Sequence, residues 1–346
     1  MNFIKVLWVA NVLFILGTSS CSPSLKNGFE LIDPQEALTL RSEMFLSDEK
    51  VTNVFYDIAI MDTFVIFADY FSDSIIQIHS LNTPGRIIKS LYRGNGPNEF
   101  ISPYFNKSVP PHYQTEELGF IDLNARKLGS VRLKENRRNI HSENLPAAFP
   151  FCTDLNRTED YSYGIDTDIN SKSMFFIWDN KKEQLIKGIP FYPTLKKDYP
   201  EEAHSFLYSG HLCVNEKTES IVMVMLNLNM VHFYSLKGEI NKSYVIGKQL
   251  NSPDVASKFL DFPKDNKYFT DICGTDKFVY CLYNGTNKHD GSSEIFVFNW
   301  NNTFVKKLQL NNPLQKIIVD KSDKYLLGIN INTEGGTEVV RFLLKD

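Results

Sequence analysis

Two segments 214 residues apart, "FYDIAIMDTFV" at 55–65 and "FTDICGTDKFV" at 269–279, share the pattern F-x-D-I-x-x-x-D-x-F-V. Two more, "GRIIKSLYRG" at 85–94 and "GEINKSYVIG" at 238–247, share G-x-I-x-K-S-x-x-x-G at an offset of 153. "DKFVYCLYN" at 276–284 and "DKYLLGIN" at 323–330 lie 47 apart. These offsets are close to four, three and one times a unit of about 50 residues, and a chain with that period folds by stacking copies of one supersecondary unit. The spacing of apolar runs gives the same count. "FVIFADY" (64–70), "LGFIDL" (118–123), "MFFIWD" (174–179), "SIVMVML" (220–226), "KFVYCLY" (277–283) and "KYLLGIN" (324–330) begin 54, 56, 46, 57 and 47 residues apart. Each is followed across a short polar turn by a second run, so six hairpins are expected. The turns "NAR" (124–126), "NKK" (180–182) and "NLN" (227–229) are rich in Asn, a residue suited to the left-handed conformation of hairpin corners.

The first run of each pair is almost continuously apolar, whereas a sheet with one wet face would alternate; such strands must be covered on both sides. A β-propeller does this by sandwiching each blade's sheet between its neighbours. The reading is an all-β six-bladed β-propeller over residues 41–346. An aligned β-sandwich is the alternative, but it has no reason to repeat at this period. "NGFELIDPQEALTL" at 27–40 is expected to close the ring as the outer strand of the last blade, since a closed ring leaves no bare edge.

Residues 1–20 have the form of a signal peptide: Lys5 precedes the apolar run "VLWVANVLFILG" (6–17), which is too short to span a bilayer, and the small residues "TSS" lead to Cys21. That ending resembles a lipoprotein signal, with Thr18 where a larger aliphatic residue is usual. The resemblance implies cleavage before Cys21, lipidation of its thiol and a tether over 21–40, leaving the protein attached to a membrane without a spanning helix. Cys152, Cys213, Cys273 and Cys281 show no C-x-x-C or Cys/His ligand spacing and are expected as buried free thiols.

Charge and motifs exclude several functions. The formal net charge is −4, with "ENRRN" at 135–139 the only basic cluster, so nucleic acid is not an expected partner. The stretch "RGNGPNEF", Arg93 to Phe100, has Glu99 where a dinucleotide fingerprint needs glycine, and it lacks the G-K-[ST] of a phosphate loop. Gly94 aligns with Gly247 in the repeat, which makes the stretch an interblade turn. Pro97 sets the first corner, Asn98 is expected to take positive φ at the second, Arg93 and Glu99 to pair across it, and Phe100 to plug the next blade; Gly96 belongs to the same turn. "DTDINSKS" at 166–173 places Asp166, Asp168 and Asn170 like calcium ligands but has Ser171 and Ile177 where Gly and Glu are required, so a polar turn is expected and no metal site. The seven histidines show no paired ligand spacing, and His79 and His232 occupy equivalent strand positions as satisfied sheet histidines. Asp57 and Asp271 recur at one place in two units, which argues for a repeated structural bond to backbone N–H groups over a catalytic role.

The Cys21 ending, the F-x-D-I-x-x-x-D-x-F repeat and the Gly94–Phe100 stretch, which is similar to a first-blade signature G-x-G-P-G-E-F with Asn98 in place of glycine, together resemble the TolB-like six-bladed propeller lipoproteins of Bacteroidota. The resemblance implies a cell-envelope lipoprotein on the periplasmic side or at the cell surface. It supplies no catalytic residue and no cofactor. The expected function is binding or scaffolding by a monomer, with a protein or glycan ligand at a propeller face. Three longer insertions, 104–117, 190–210 and 284–294, would present loop tips for it. The alternative is a hydrolase, lactonase or lyase with an axial site, with or without calcium; several His, Asp or Glu side chains converging at one channel mouth would favour it.

Overall fold

In a computed structural model, which describes residues 28–47, 54–82, 86–109, 117–134, 137–168, 170–193, 201–251, 267–285, 292–331 and 335–344, the chain forms six antiparallel sheets arranged as the blades of a propeller. Blade 1 runs from the inside outward as Phe55–Met61, Phe64–Asp69, Ser74–Ser80 and Arg86–Arg93. Blade 2 is Tyr104–Phe105, Glu117–Asp122, Lys127–Lys134 and Arg137–Asn144; blade 3 is Cys152–Arg157, Tyr161–Asp166, Ser173–Asp179 and Gln184–Pro190. Blade 4 is Gly210–Asn215, Ser220–Met225, Met230–Ser235 and Ile240–Ile246, and blade 5 is Phe269–Gly274, Phe278–Tyr283, Glu294–Asn299 and Thr303–Leu310. Blade 6 takes Lys316–Val319, Tyr325–Ile331 and Thr337–Leu343 from the C-terminus and Ser42–Ser47 from the N-terminus.

The core has one apolar cluster in each gap between adjacent blades. Blades 3 and 4 meet through Phe175, Tyr163, Met223 and Leu212, blades 4 and 5 through Phe233, Val222, Phe298 and Ile272, and blades 1 and 2 through Phe100, Ile78, Phe120 and Val131. The middle strands therefore have both faces covered, which is why "FVIFAD" and "SIVMVM" carry no polar alternation.

The ring closes differently from the expectation. The outermost strand of blade 6 is Ser42–Ser47, antiparallel to Thr337–Leu343. The segment just before it instead adds short parallel fifth strands to two other blades, Glu30–Ile32 beside Tyr244–Ile246 and Leu38–Leu40 beside Leu308–Leu310. The N-terminal segment thus straps three successive blades.

Two local readings are also corrected. "MFFIWD" is the third strand of blade 3, where the other apolar runs are second strands; the second strand there is "YSYGID". Its Ser162 and Gly164 hid it; Gly164 is small because the gap is tight there, a Cβ on it coming 2.6 Å from the Phe176 ring. In the hairpins the left-handed residues other than glycine are Asp62, Arg126, Glu183, Glu219, Asn302 and Asp323. Asn180 and Asn229 act through their amides, to Thr158 O at 3.0 Å and Gln249 O at 2.9 Å.

The loop of Arg93–Phe100 leaves the outer strand of blade 1 and doubles back, Glu99–Phe100 pairing in parallel with Tyr92–Arg93. Glu99 Oε accepts from Gly96 N–H at 2.8 Å, and a Cβ on Gly94 would collide with the same carboxylate. Lys127 Nζ of blade 2 donates to the Gly96 and Glu99 carbonyls, and Ser142 Oγ donates to that of Pro97 at 2.6 Å, which locks the loop to its neighbour. Phe100 is fully buried, edge-on to Phe120 at 4.8 Å between ring centroids. Arg93 does not pair with Glu99; its guanidinium donates to the carbonyls of Asp69, Tyr70 and Ile101. Asn98 is not among the positive-φ residues, so no left-handed corner requires it. Asn98→Val is therefore expected to change the unfolding free energy by less than about 0.5 kcal/mol in urea titrations. A loss well above that would restore the backbone role.

Candidate functional site

At the end of the channel where the inner strands begin, each blade contributes one ionisable side chain. They alternate in type: Asp57, Lys107, Asp154, His211, Asp271 and Lys316, from blades 1 to 6 in turn. The inner strands of blades 1, 3 and 5 each carry a β-bulge beside their aspartate, between Phe55/Asp57, Thr153/Leu155 and Phe269/Asp271. A bulge re-aims a side chain out of the ladder, and each of these carboxylates reaches the backbone of the next blade. Asp57 accepts from Phe105 N–H at 2.8 Å, Asp154 from Leu212 N–H at 3.0 Å, and Asp271 from Ile317 N–H at 2.8 Å. The repeated aspartate is thus a tie between blades. The gap from blade 2 to blade 3 is closed by an amide instead, with Asn106 Nδ2 donating to Arg157 O at 2.7 Å and Asn106 Oδ1 accepting from Arg157 N–H at 3.2 Å.

Blade 2 has only a two-residue inner strand because the chain leaves the sheet after Phe105 and enters the channel. It reaches blade 4, where Val109 N–H donates to Val214 O at 2.7 Å and the Val109 side chain joins Cys213 and Ile272 in an apolar cluster. On the way Lys107 Nζ lies 3.1 Å from both Asp57 and Asp271, which come from blades 1 and 5 with blade 6 between them. Lys316 Nζ lies 3.2 Å from Asp271. Burial alone would raise the Asp271 carboxyl, but the Lys107 and Lys316 ammoniums, with His211 and the Ile317 N–H, outweigh it and hold its pKa down at about 2. Burial would likewise lower the Lys107 ammonium, and Asp271 and Asp57 overrule it, leaving its pKa raised. The segment 106–109 plugs the channel and is anchored there by charge.

Above the plug is a cavity of about 560 Å³. Its floor is the ring of six ionisable groups; its walls include Tyr56, Tyr104, Leu123, Asn124, Thr153 and Leu226. Tyr56 and Tyr104 meet edge to face at 5.5 Å, Tyr56 and Tyr70 at 6.3 Å, and Tyr70 and Phe71 at 5.1 Å. Phe71, Tyr70 and Tyr104 are exposed at 68%, 56% and 46%. The four rings make a row from the rim of blade 1 to the cavity. Burial pushes the Tyr56 and Tyr104 phenols up, so both stay neutral hydrogen-bonding groups. On the far wall His211 Nδ1 lies 2.8 Å from Asp154 Oδ2, and its Nε2 has no hydrogen-bond partner among the described residues.

Four of the six ring members escaped the sequence reading. Asp154 stands in "FCTDL", which is similar to "FTDI" with one more residue between Phe and Asp, and that match was available. Lys107, His211 and Lys316 follow no repeated pattern, because each blade reaches the axis with a different residue. The predicted turn residues Arg93, Gly94, Gly96, Pro97, Asn98, Glu99 and Phe100 lie outside the cavity wall. Cys21 lies outside the described residues. Of the three insertions, 104–117 enters the site through Tyr104, Phe105 and Lys107, and 190–210 borders it at its end through Ser209 and Gly210.

Asp166 accepts from Asp168 N–H at 3.0 Å and from Ser171 Oγ at 2.6 Å, a turn that satisfies itself. No group of three or more His, Cys, Asp or Glu that could hold a metal ion occurs among the described residues. Cys152, Cys213, Cys273 and Cys281 are free and buried. His232 is fully buried, with Nδ1 2.9 Å from Ser243 Oγ and Nε2 3.1 Å from Met225 Sδ.

Acidic residues and a histidine do converge at one mouth, the pattern named above as favouring an enzyme. Asp57 and Asp271, however, are held in ion pairs and backbone bonds, which leaves His211–Asp154 as the acid–base pair open to the cavity.

Two solved structures share this architecture at 12% identity. A putative exported protein from Bacteroides fragilis matches over 92% of this chain and 99% of its own, with a TM-score of 0.53. A DUF4221 family member from Bacteroides vulgatus matches over 92% of this chain and 99% of its own, with a TM-score of 0.55. No curated protein matches the chain. The family profile described as TolB-like 6-blade propeller-like matches residues 33–322. Six sheets around one axis and that match have the same meaning: the chain belongs to the TolB-like six-bladed propeller family.

Proposed function

We propose that this protein is a binding module of the cell envelope that holds a glycan at the axial mouth of its propeller. In this reading the chain is exported, lipidated at Cys21 and tethered as a monomer to a membrane, on the periplasmic side or at the cell surface. The similarity to a protein titled as exported agrees with it. The observation that carries the ligand class is the row Phe71–Tyr70–Tyr56–Tyr104 leading into a polar cavity. Exposed rings offer flat apolar faces to the C–H faces of sugars, and the Asn, Thr and charged groups beyond them offer bonds to hydroxyls. A cavity of about 560 Å³ is the size of a small-ligand site, whereas a protein partner needs a broad, shallow patch.

Titration of envelope-type oligosaccharides into the full-length chain in mild detergent tests the reading. Tyr70→Ala with Phe71→Ala changes exposed rings only, and is expected to weaken glycan binding about tenfold at unchanged melting temperature, from roughly 0.5–1.5 kcal/mol per aromatic contact. Unaltered binding by that variant, or recovery from envelope extracts of a protein partner and no glycan, would overturn it. A second reading, a hydrolase, lactonase or lyase at the same mouth, draws on the open Nε2 of His211. Turnover of a bound chain, lost in His211→Asn, would support that.

A further inference from the structure

Resting on the glycan reading, we propose that the cavity is a blind subsite that receives the terminal residue of an acidic glycan, with the sugar's carboxylate on Lys316 and a hydroxyl on His211. The channel cannot pass a chain, because 106–109 runs through it and is fixed at both ends: Asn106 to Arg157 of blade 3, and Val109 to Val214 of blade 4. A ligand that follows the aromatic row inward meets the charged floor and stops, so it is held by its end.

The bonding capacity left unspent on that floor sets the chemistry. Lys107 spends its ammonium on Asp57 and Asp271, at 3.1–3.2 Å to three carboxylate oxygens. Lys316 makes one bond, to Asp271 Oδ1, and has no other partner among the described residues. Its side chain is 21% exposed, while those of Asp57 and Asp271 are 2% and 3% exposed. Lys107, Lys316, Asp57 and Asp271 sum to zero charge, with the two carboxylates behind and the Lys316 ammonium in front; the third floor carboxylate, Asp154, is 23% exposed but lies on blade 3, across the ring from blade 6, and is bonded to His211 and the Leu212 N–H. On the blade 6 side of the floor a ligand anion therefore meets a cation first, with N–H donors to spare, and a charge-assisted bond there is stronger than a neutral one.

His211 completes the selection. Leu212 N–H and the imidazole both bond to Asp154 Oδ2, and the carboxylate holds the proton on Nδ1. Nε2 is then left to bond a hydroxyl, accepting its proton as the neutral imidazole or donating to its oxygen as the imidazolium. A residue with a carboxylate and neighbouring hydroxyls on one ring, a uronic acid, meets both demands, and Tyr104 stands at the entrance to cover its apolar face.

Calorimetric titration of the full-length chain in mild detergent, with α-1,4-linked trigalacturonate and its carboxyl-reduced counterpart, tests this without any variant. The acidic trimer is expected to bind roughly tenfold to a hundredfold more tightly, the range for one charge-assisted bond. Lys316→Met should remove that difference and leave the weaker affinity for the neutral trimer intact. Long polygalacturonate should bind one protein per chain, as an end-reading site requires. Equal affinity for the two trimers, or several proteins per long chain, overturns this proposal while leaving a glycan module standing. Binding of neither trimer, with other envelope glycans also silent, overturns both.

Discussion

Lys107→Ala is expected to destabilise the propeller by about 3–5 kcal/mol, the cost of removing one partner from a buried ion pair. Its ammonium is the common partner of Asp57 and Asp271, and both carboxylates are almost fully buried. Without it Asp271 keeps Lys316 and the Ile317 N–H, but Asp57 keeps only backbone donors, those of Phe105 and Ile58. A carboxylate so placed must either stay charged without a counter-ion or take up a proton, and both cost stability. The loss should appear as a fall in the urea midpoint at unchanged slope. Lys107→Met combined with Asp57→Asn should recover much of it, because the amide oxygen still accepts the Phe105 N–H and no lone charge remains. A loss below about 1 kcal/mol in the single variant would mean that Val109 packing alone holds the plug.

Acid is expected to erode the stability of the protein over two overlapping pH windows. Burial lowers the His232 pKa to about 3, against about 6.5 in an unfolded chain. Above pH 6.5 the group is neutral in both states and contributes nothing to the pH dependence. As pH falls from there towards 3, the unfolded state takes up a proton that the folded state refuses, so stability is lost at about 1.4 kcal/mol per pH unit, or roughly 4 kcal/mol by pH 3. Asp271 has the same sign in a lower window. Its folded pKa of about 2 lies below the unfolded value of 3.8, so its contribution is complete above that value and disappears as pH falls to 2. Denaturant titrations from pH 7 to 3 should show the slope in the wild type and a much flatter line in His232→Phe. Parallel lines would mean that His232 takes its proton in the folded state.

Much of the architecture was legible because a propeller repeats. Each blade must present apolar strands to two neighbours, so the same composition recurs every 50 residues or so, and the hairpin signal survives sequence drift. The reading failed where one blade departed from the pattern. In "YSYGID" Gly164 lacks the apolar signature because Phe176 fills the space it leaves, and Ser162 because its hydroxyl donates to Asn180 Oδ1. Asn98 carried the expected turn chemistry, but hydrogen bonds from Ser142 and Lys127 of the neighbouring blade shape that loop, and these are invisible from the loop's own residues.

The candidate site was legible only in its repeated part. Asp57 and Asp271 recur because each ties its blade to the next, a demand that local geometry makes on the odd-numbered blades. Lys107 lies in a stretch that reads as an ordinary interblade loop. It becomes the centre of the axis only because blade 2 gives up most of its inner strand and sends 106–109 into the channel. The aromatic row draws on residues 56, 70, 71 and 104, which no spacing rule connects.

Period and apolar patterning dictated six double-covered sheets, since burying both faces of a strand is a demand that each repeat states for itself. The closing of the channel, the meeting of Asp57 with Asp271 through one lysine, and the open imidazole of His211 were decided by the ring. They join residues from different blades, and only closure of the last blade by Ser42–Ser47 sets their distances.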